Sequence, residues 1–188
     1  MKQYFSPPVI LKIIGYSGSG KTTLIEQLIP YLRKRGLRLA VIKHTSHCHE
    51  LDFPGKDSHR LRKAGAEAVF VSSPAMVAMF RDVEQEWSVE QMLPHLPSGL
   101  DLVIAEGFKS GVHPYIEVFR KQVSKELLGQ NCSNLLAIVG DDPGGIEVPR
   151  FHRDAISAIG EFVIEQCVKR LPEHANSCLA LNEQLLNE

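Results

Sequence analysis

Apolar positions along this chain come in short runs, and several of the stretches between them repeat hydrophobic residues at helical spacing. Residues 9–14 (VILKII) are apolar except for Lys12 and predict a buried strand. Over 21–35, Leu24, Ile25, Leu28 and Leu32 share one helical face; Gly36 is placed to end the helix, and Pro30 is expected to kink it or thin its last turn. Residues 37–43 (LRLAVIK) predict a second strand, and 57–64 (DSHRLRKA) a short helix capped by Asp57 and closed by Gly65.

Two strand-like runs, 68–73 (AVFVSS) and 75–80 (AMVAMF), meet at Pro74 and predict a hairpin. Ser88 and Gln91 have the spacing of a capping box, for a helix reaching about residue 95. Residues 101–105 (DLVIA), 115–119 (YIEVF) and 135–139 (LLAIV) predict three more strands. The last helix is expected over 154–171, with Ile156, Ile159, Val163 and Cys167 as its buried stripe.

Strands alternating with helices point to an α/β fold with a mostly parallel sheet and an added antiparallel hairpin. No repeat, low-complexity tract or linker interrupts the pattern, so the expectation is one domain over 1–171 and a polar C-terminal tail over 172–188. At 188 residues the chain can bury a core without disulfides or a structural metal.

Charge and cysteine content narrow the classes. Lys plus Arg number 21 against 22 for Asp plus Glu, so no overall basic field steers the chain to nucleic acid or an anionic membrane. Cys48, Cys132, Cys167 and Cys178 form no C-x-x-C pair, which suits a reducing compartment. The N-terminal stretch lacks the features of a signal peptide, and no apolar run approaches the roughly 18 residues of a membrane span. A soluble, cytoplasmic protein is expected.

The candidate chemistry starts at GYSGSGKTT, residues 15–23, where Gly15, Gly20, Lys21 and Thr22 match G-x-x-x-x-G-K-[ST]. The motif follows a predicted strand and opens a predicted helix, the context in which backbone N–H groups and a positive helix terminus hold phosphates. Gly15, Gly18 and Gly20 permit the close backbone approach, with Tyr16, Ser17, Ser19 and Thr23 completing the loop. Lys21 is expected to reach the outer phosphates and Thr22 to give its hydroxyl to Mg²⁺. The fold expected is therefore that of a P-loop NTPase, a three-layer α/β/α sandwich.

Glu106 ends an apolar run (DLVIAEG), which would bring it out at the carboxyl edge of the sheet beside the loop, as a carboxylate of the metal's shell. Asp101 lies about 13–17 Å away along an extended strand and is read as a solvated acid. The segment 44–57 is expected to act as a switch over the outer phosphate, with Asp52 or Asp57 orienting water or completing the metal shell. Asp141 or Asp142, after the strand at 135–139, is a candidate base-reading carboxylate or ordinary turn chemistry. Lys109 and Arg120 could meet a phosphate or a partner's acidic patch, or be plain surface charge.

Three functions fit these residues. One is a nucleotide-regulated adaptor. Another is a small-molecule kinase or ligase with Glu106 or Asp57 as base and Arg60 and Arg62 in a lid. The third is a metal-delivery GTPase using His44, His47, Cys48, His49 and His59, whose spacing fits no standard zinc pattern. With no water-positioning Gln and no placed arginine finger, isolated hydrolysis is expected to be slow.

Four blocks in order, GYSGSGKTTL with LIPYLRKRG, then VIKHTSHCHELDFPGKDSHRLRKAGA, DLVIAEGFK and AIVGDD, resemble the MobB family of molybdopterin-guanine dinucleotide biosynthesis adaptors. They lie within residues 9–165, and the second and third blocks carry the likeness, since nucleotide binding in general does not demand them. The resemblance implies a homodimeric GTP-binding P-loop protein with weak GTPase activity. Its implied partner is a MobA-like guanylyltransferase that joins GMP to molybdopterin, with molybdopterin itself a further candidate ligand. The hairpin at 68–80 could pair across two chains. No [NT]-K-x-D motif is present, so guanine preference is implied by the resemblance alone.

Overall fold

The computed structural model describes residues 7–45, 50–129 and 132–169. In chain order the elements are β1 (Val9–Ile14), α1 (Lys21–Lys34), β2 (Leu39–Lys43), α2 (Asp57–Lys63), β3 (Val69–Ser72), β4 (Val77–Phe80), α3 (Val89–Met92), β5 (Leu102–Glu106), β6 (Tyr115–Phe119), β7 (Leu135–Gly140), β8 (Arg150–Phe151) and α4 (Ile156–Val163). A short 3-10 turn, Leu93–His95, follows α3, and a π-helical stretch, Ile164–Lys169, continues α4. These elements fall into two compact units, Thr45–His95 and the residues on either side of it.

The larger unit holds a six-stranded sheet in the order β2-β5-β1-β6-β7-β8, with every neighbouring pair parallel. This is the expected parallel sheet, and its shared direction gathers the C-terminal ends of β1, β2, β5 and β6 along one edge. Alternate strand residues (Leu11, Ile13, Leu102, Ile104, Ile116, Val118) meet Leu24, Ile25, Leu28 and Leu32 of α1 and Ile159 and Val163 of α4 in one buried cluster. Gly160 permits the close approach of the two helices, because a Cβ there would lie 2.3 Å from the Tyr31 ring. Helix α1 runs through Pro30 to Lys34, and Gly36, at φ +91°, closes it.

A second cluster joins Ile14, Tyr115, Phe119, Leu135 and Ile138 to Leu127, Ile146 and Val148. Two charged side chains are buried in the strands themselves, Lys12 at 2% exposure and Glu117 at 0%. Burying a charge is costly unless hydrogen bonds replace its water. Lys12 Nζ donates to the carbonyls of Ser110 (3.1 Å) and Gly111 (2.9 Å), and the Glu117 carboxylate accepts from the backbone N–H groups of Leu128 and Gly129. Each charge therefore ties a connecting segment to the sheet.

In the smaller unit β3 and β4 form the expected antiparallel hairpin, with Val69 opposite Phe80 and Ser72 opposite Val77. Its tip is held by Ser73, whose hydroxyl accepts from Met76 N at 3.0 Å. The Ser88–Gln91 capping box is present in full at the start of α3. Arg62 of α2, 9% exposed, is anchored by ion pairs to Glu50 and Asp82.

Several boundaries differ from the sequence reading. Asp57 is the first helical residue of α2 and not its cap; the cap position is Lys56, with no side-chain hydrogen bond. Strand β5 begins one residue later than expected, because Asp101 turns aside to hydrogen-bond Arg38, and it ends one later, so that Glu106 is its final residue. The 3.6-residue repeat of the last helix gives way to π geometry after Val163, while Cys167 stays fully buried. Strand β8, two residues long, has no periodic signal and was not expected. The tail at 172–188 lies outside the described residues.

Candidate functional site

The site is built where β1 turns into α1. Gly15, Gly18 and Gly20 all take positive φ, at +144°, +77° and +103°. Gly15 packs against the sheet so tightly that a Cβ would stand 2.4 Å from the Val118 carbonyl oxygen. Beyond it Tyr16, Ser17 and Gly18 are exposed, and Ser19 N donates back to Tyr16 O at 3.1 Å, closing the turn.

Helix α1 starts without protection. Gly20 is its cap residue, no side chain caps it, and its first turn holds no acid. Helix N-termini carry unpaired N–H groups and a partial positive charge, so this end is suited to an anion. Lys21 Nζ lies over the loop, donating to the carbonyls of Gly15 and Tyr16 at 2.9 Å each. Ser19 Oγ is buried and has no hydrogen-bond partner among the described residues.

Register brings the second part of the site to the same edge. In the sheet β5 lies beside β1, with Glu106 opposite Ile13, and its other neighbour β2 sets Lys43 opposite Glu106. The Glu106 side chain is buried, and its Oε1 accepts from Thr22 Oγ1 at 2.8 Å. Lys43 Nζ reaches the same pair, 3.3 Å from Thr22 Oγ1 and 3.5 Å from Glu106 Oε1. Burial pulls the Lys21 ammonium below the ordinary lysine pKa; Glu106 opposes that shift, and Lys109 and Lys43 add to it.

This arrangement offers backbone donors at an uncapped helix end, an ammonium lying over the loop and a paired hydroxyl and carboxylate. The first two suit phosphate oxygens. The third is a set of hard oxygens, which suits Mg²⁺ and not a softer metal. The buried, unpartnered Ser19 hydroxyl and the Lys21 ammonium over the loop both fit a polyanionic ligand. The residues thus fit a magnesium-bound nucleotide phosphate.

The other residues singled out from sequence are placed as follows. Thr23 is exposed on the first turn of α1. Asp52 is buried in the smaller unit; its Oδ1 accepts from Phe53 N (2.8 Å) and Ser58 Oγ (2.9 Å), while Oδ2 has no partner. Asp57 is exposed and pairs with Arg60 at 3.5 Å. Asp141 follows β7, where its Oδ2 accepts from Lys121 N at 2.8 Å. Asp142 accepts from Gly144 N at 2.9 Å and pairs with Arg150, and these contacts hold its pKa below the ordinary carboxylate value.

His47, Cys48 and His49 lie outside the described residues. Among the described residues no group of three or more His, Cys, Asp or Glu could hold a metal ion. His44 packs its ring on Phe108 at 5.1 Å, and His59 stands 3.7 Å from Glu50. Arg62, considered for a lid, is held by Glu50 and Asp82. Among the described residues no helix is long and apolar enough to cross a membrane.

Lys43 is the site residue that sequence reasoning assigned no role. Its contacts depend on the pairing of β2 with β5, and the only signal in the chain was a lysine closing an apolar run.

Residues 10–141 match the family described as molybdopterin guanine dinucleotide synthesis protein B. The chain is 35% identical over 167 residues to the molybdopterin-guanine dinucleotide biosynthesis adapter protein of Escherichia coli (strain K12), covering 86% of this chain and 94% of that one. It is 36% identical over 155 residues to the protein of the same description from Haemophilus influenzae, covering 82% and 86%. A crystal structure of molybdopterin-guanine biosynthesis protein B superposes with a TM-score of 0.66 at 33% identity, covering 84% of this chain and 99% of that one. With the loop at 15–23, the Thr22–Glu106 pair and the parallel sheet in hand, this agreement in sequence and fold establishes that the chain belongs to the MobB family.

Proposed function

We propose that this protein is an adapter in molybdopterin-guanine dinucleotide biosynthesis that binds GTP with Mg²⁺ and assists a MobA-like molybdopterin guanylyltransferase. The observation that carries the nucleotide half is the closed Thr22–Glu106 pair beside Lys21 at the open end of α1. The relatives' description as biosynthesis adapters supports the other half.

In this reading the amides of residues 15–23 take the phosphates, and Lys21 exchanges the carbonyls of Gly15 and Tyr16 for phosphate oxygens. Thr22 and Glu106 hold Mg²⁺, which supplies charge neutralisation at the outer phosphates. Glu106 fixes the Thr22 hydroxyl in place. Asp141 and Asp142 are the carboxylates offered for base reading, and either must give up a turn contact to do so. The segment 44–57 is the switch. Asp52, with one carboxylate oxygen unpartnered, is a better candidate there than the solvated Asp57.

Hydrolysis by the isolated chain is slow in this account, and the partner completes the site. The protein works in the cytoplasm as a homodimer, through hairpin β3–β4, and molybdopterin reaches it through the partner or directly. Calorimetric titration with GTP and with ATP, each with Mg²⁺, tests the reading. GTP binding with ATP excluded, and loss of binding in Lys21→Ala, is the expected result; a preference for ATP or an unaffected Lys21→Ala variant overturns it.

A further inference from the structure

The charges around the loop do not balance. Lys43 Nζ stands 3.3 Å from Thr22 Oγ1 and 3.5 Å from Glu106 Oε1, and the charges felt by Lys21 are those of one carboxylate, Glu106, and two further ammonium groups, Lys43 and Lys109. Three ammoniums against one carboxylate leave an excess of two positive charges, next to a helix terminus that adds a partial positive charge of its own. Like charges brought together without counterions raise the energy of the folded chain. Such a cluster is the signature of a site whose ligand carries the missing negative charge.

The three lysines are not equivalent. Lys21 arises from the loop itself and bonds its carbonyls. Lys43 arises from the end of β2, at the edge of the sheet, and approaches Thr22 and Glu106 from the far side of β5 relative to β1. Its side chain is 60% exposed, so its ammonium can move several ångströms without unpacking anything. Its contact with Glu106, at 3.5 Å, is a loose one.

A diphosphate can be served by the loop amides and Lys21. A third phosphate adds about one to two negative charges at the outer end of the chain of phosphates, where the excess positive charge is left over. We infer that Lys43 is the residue that recognises the third phosphate, leaving the Thr22–Glu106 pair to contact it, and so makes the site specific for a nucleoside triphosphate over a diphosphate. Lys43 directly precedes the segment 44–57 in the chain. This role of Lys43 rests on the nucleotide-binding reading above and adds the residue that reads the phosphate count.

The test compares GDP and a non-hydrolysable GTP analogue, each with Mg²⁺, on the wild-type chain, Lys43→Met and Lys43→Arg. The expected result for Lys43→Met is about a tenfold or greater loss of affinity for the triphosphate, with GDP affinity kept within about twofold. Lys43→Arg should restore most of the preference. An equal loss for both nucleotides, or no loss for either, overturns the inference, since Lys43 would then only support Glu106 or sit in solvent. Failure of the wild-type chain to bind either nucleotide overturns the nucleotide-binding reading itself. Thermal unfolding of each variant without nucleotide, unchanged within about 2 °C, shows that the comparison is of folded proteins.

Discussion

Thr22 Oγ1 donates to Glu106 Oε1 at 2.8 Å across a sequence separation of 84 residues. Thr22 is in the first turn of α1, and Glu106 is the last residue of β5. A buried carboxylate needs hydrogen bonds in place of water, and this bond supplies one; in the proposed complex it would also orient the Thr22 hydroxyl toward Mg²⁺. Glu106→Gln should lower the affinity of the nucleotide complex for Mg²⁺ about 10–100-fold, as loss of an orienting partner does elsewhere. Thr22→Val should lose at least as much. In both variants binding measured in excess chelator should be unchanged, and a loss there of the same size would mean that the pair only holds the fold.

Gly15 is under a packing constraint that does not depend on what the loop binds. A Cβ at this position meets Val118 O at 2.4 Å and Ser19 Oγ at 2.8 Å, at φ +144°. Neither the backbone carbonyl nor the tight turn can give way cheaply. Gly15→Ala should cost about 2–4 kcal/mol, from unfavourable φ together with overpacking. At Gly18 the same Cβ meets nothing within 4 Å, and Gly18→Ala should cost about 1–2 kcal/mol from φ alone. Chemical denaturation of the two variants side by side checks the order.

The strands were legible because burial on both faces of a parallel sheet leaves nearly continuous apolar runs, as in VILKII and DLVIAEG. The loop at 15–23 and Glu106 were legible for a related reason: turn glycines and an acid at the end of an apolar run are local features. What was not legible depends on partners distant in the chain. Lys43 acquires its place from the register of β2 against β5. Strand β8 exists only because Ile138 and Val139 of β7 offer it an edge. Asp101 reads as the start of a strand until Arg38 N, donating at 2.7 Å, draws it into a turn. Lys12 and Glu117 look like ordinary interruptions of a strand, and their burial follows from loops that return to cover them.

Glu117 gives the fold a pH dependence whose sign can be worked out. Burial raises its pKa above the ordinary 4.5, although the amides of Leu128 and Gly129 pull it the other way. The folded chain thus holds this proton more tightly than the unfolded chain does. Its contribution to stability is fully present below about pH 4.5 and is lost as pH rises through the folded pKa. Glu117→Gln removes this titration and leaves a constant offset from its altered hydrogen bonding. The stability of the wild type relative to Glu117→Gln should fall as pH rises above about 4.5 and level off once the folded carboxyl has ionised, measured by urea unfolding at each pH. A relative gain over that range would mean that the backbone amides outweigh burial.

The hairpin β3–β4 bears on the proposed homodimer. In it Phe70, Val71, Met76 and Val77 are 66%, 45%, 71% and 63% exposed. A two-stranded ribbon is marginal by itself, and both of its outer edges carry backbone groups that another strand can pair with. Exposed apolar side chains on such a ribbon suit the self-pairing that the proposal requires, since a two-fold axis would set the same residues against each other. Phe70 lies opposite Met79, and Val77 opposite Ser72, so Phe70→Lys and Val77→Lys place charge at two points along the ribbon. In a symmetric dimer each substitution is present twice. The double variant should sediment as a monomer at concentrations where the wild type is a dimer, with its far-ultraviolet circular dichroism unchanged. A wild-type chain that sediments as a monomer at about 100 μM would remove the dimer from the proposal, and a double variant that remains dimeric would move the interface elsewhere on the chain.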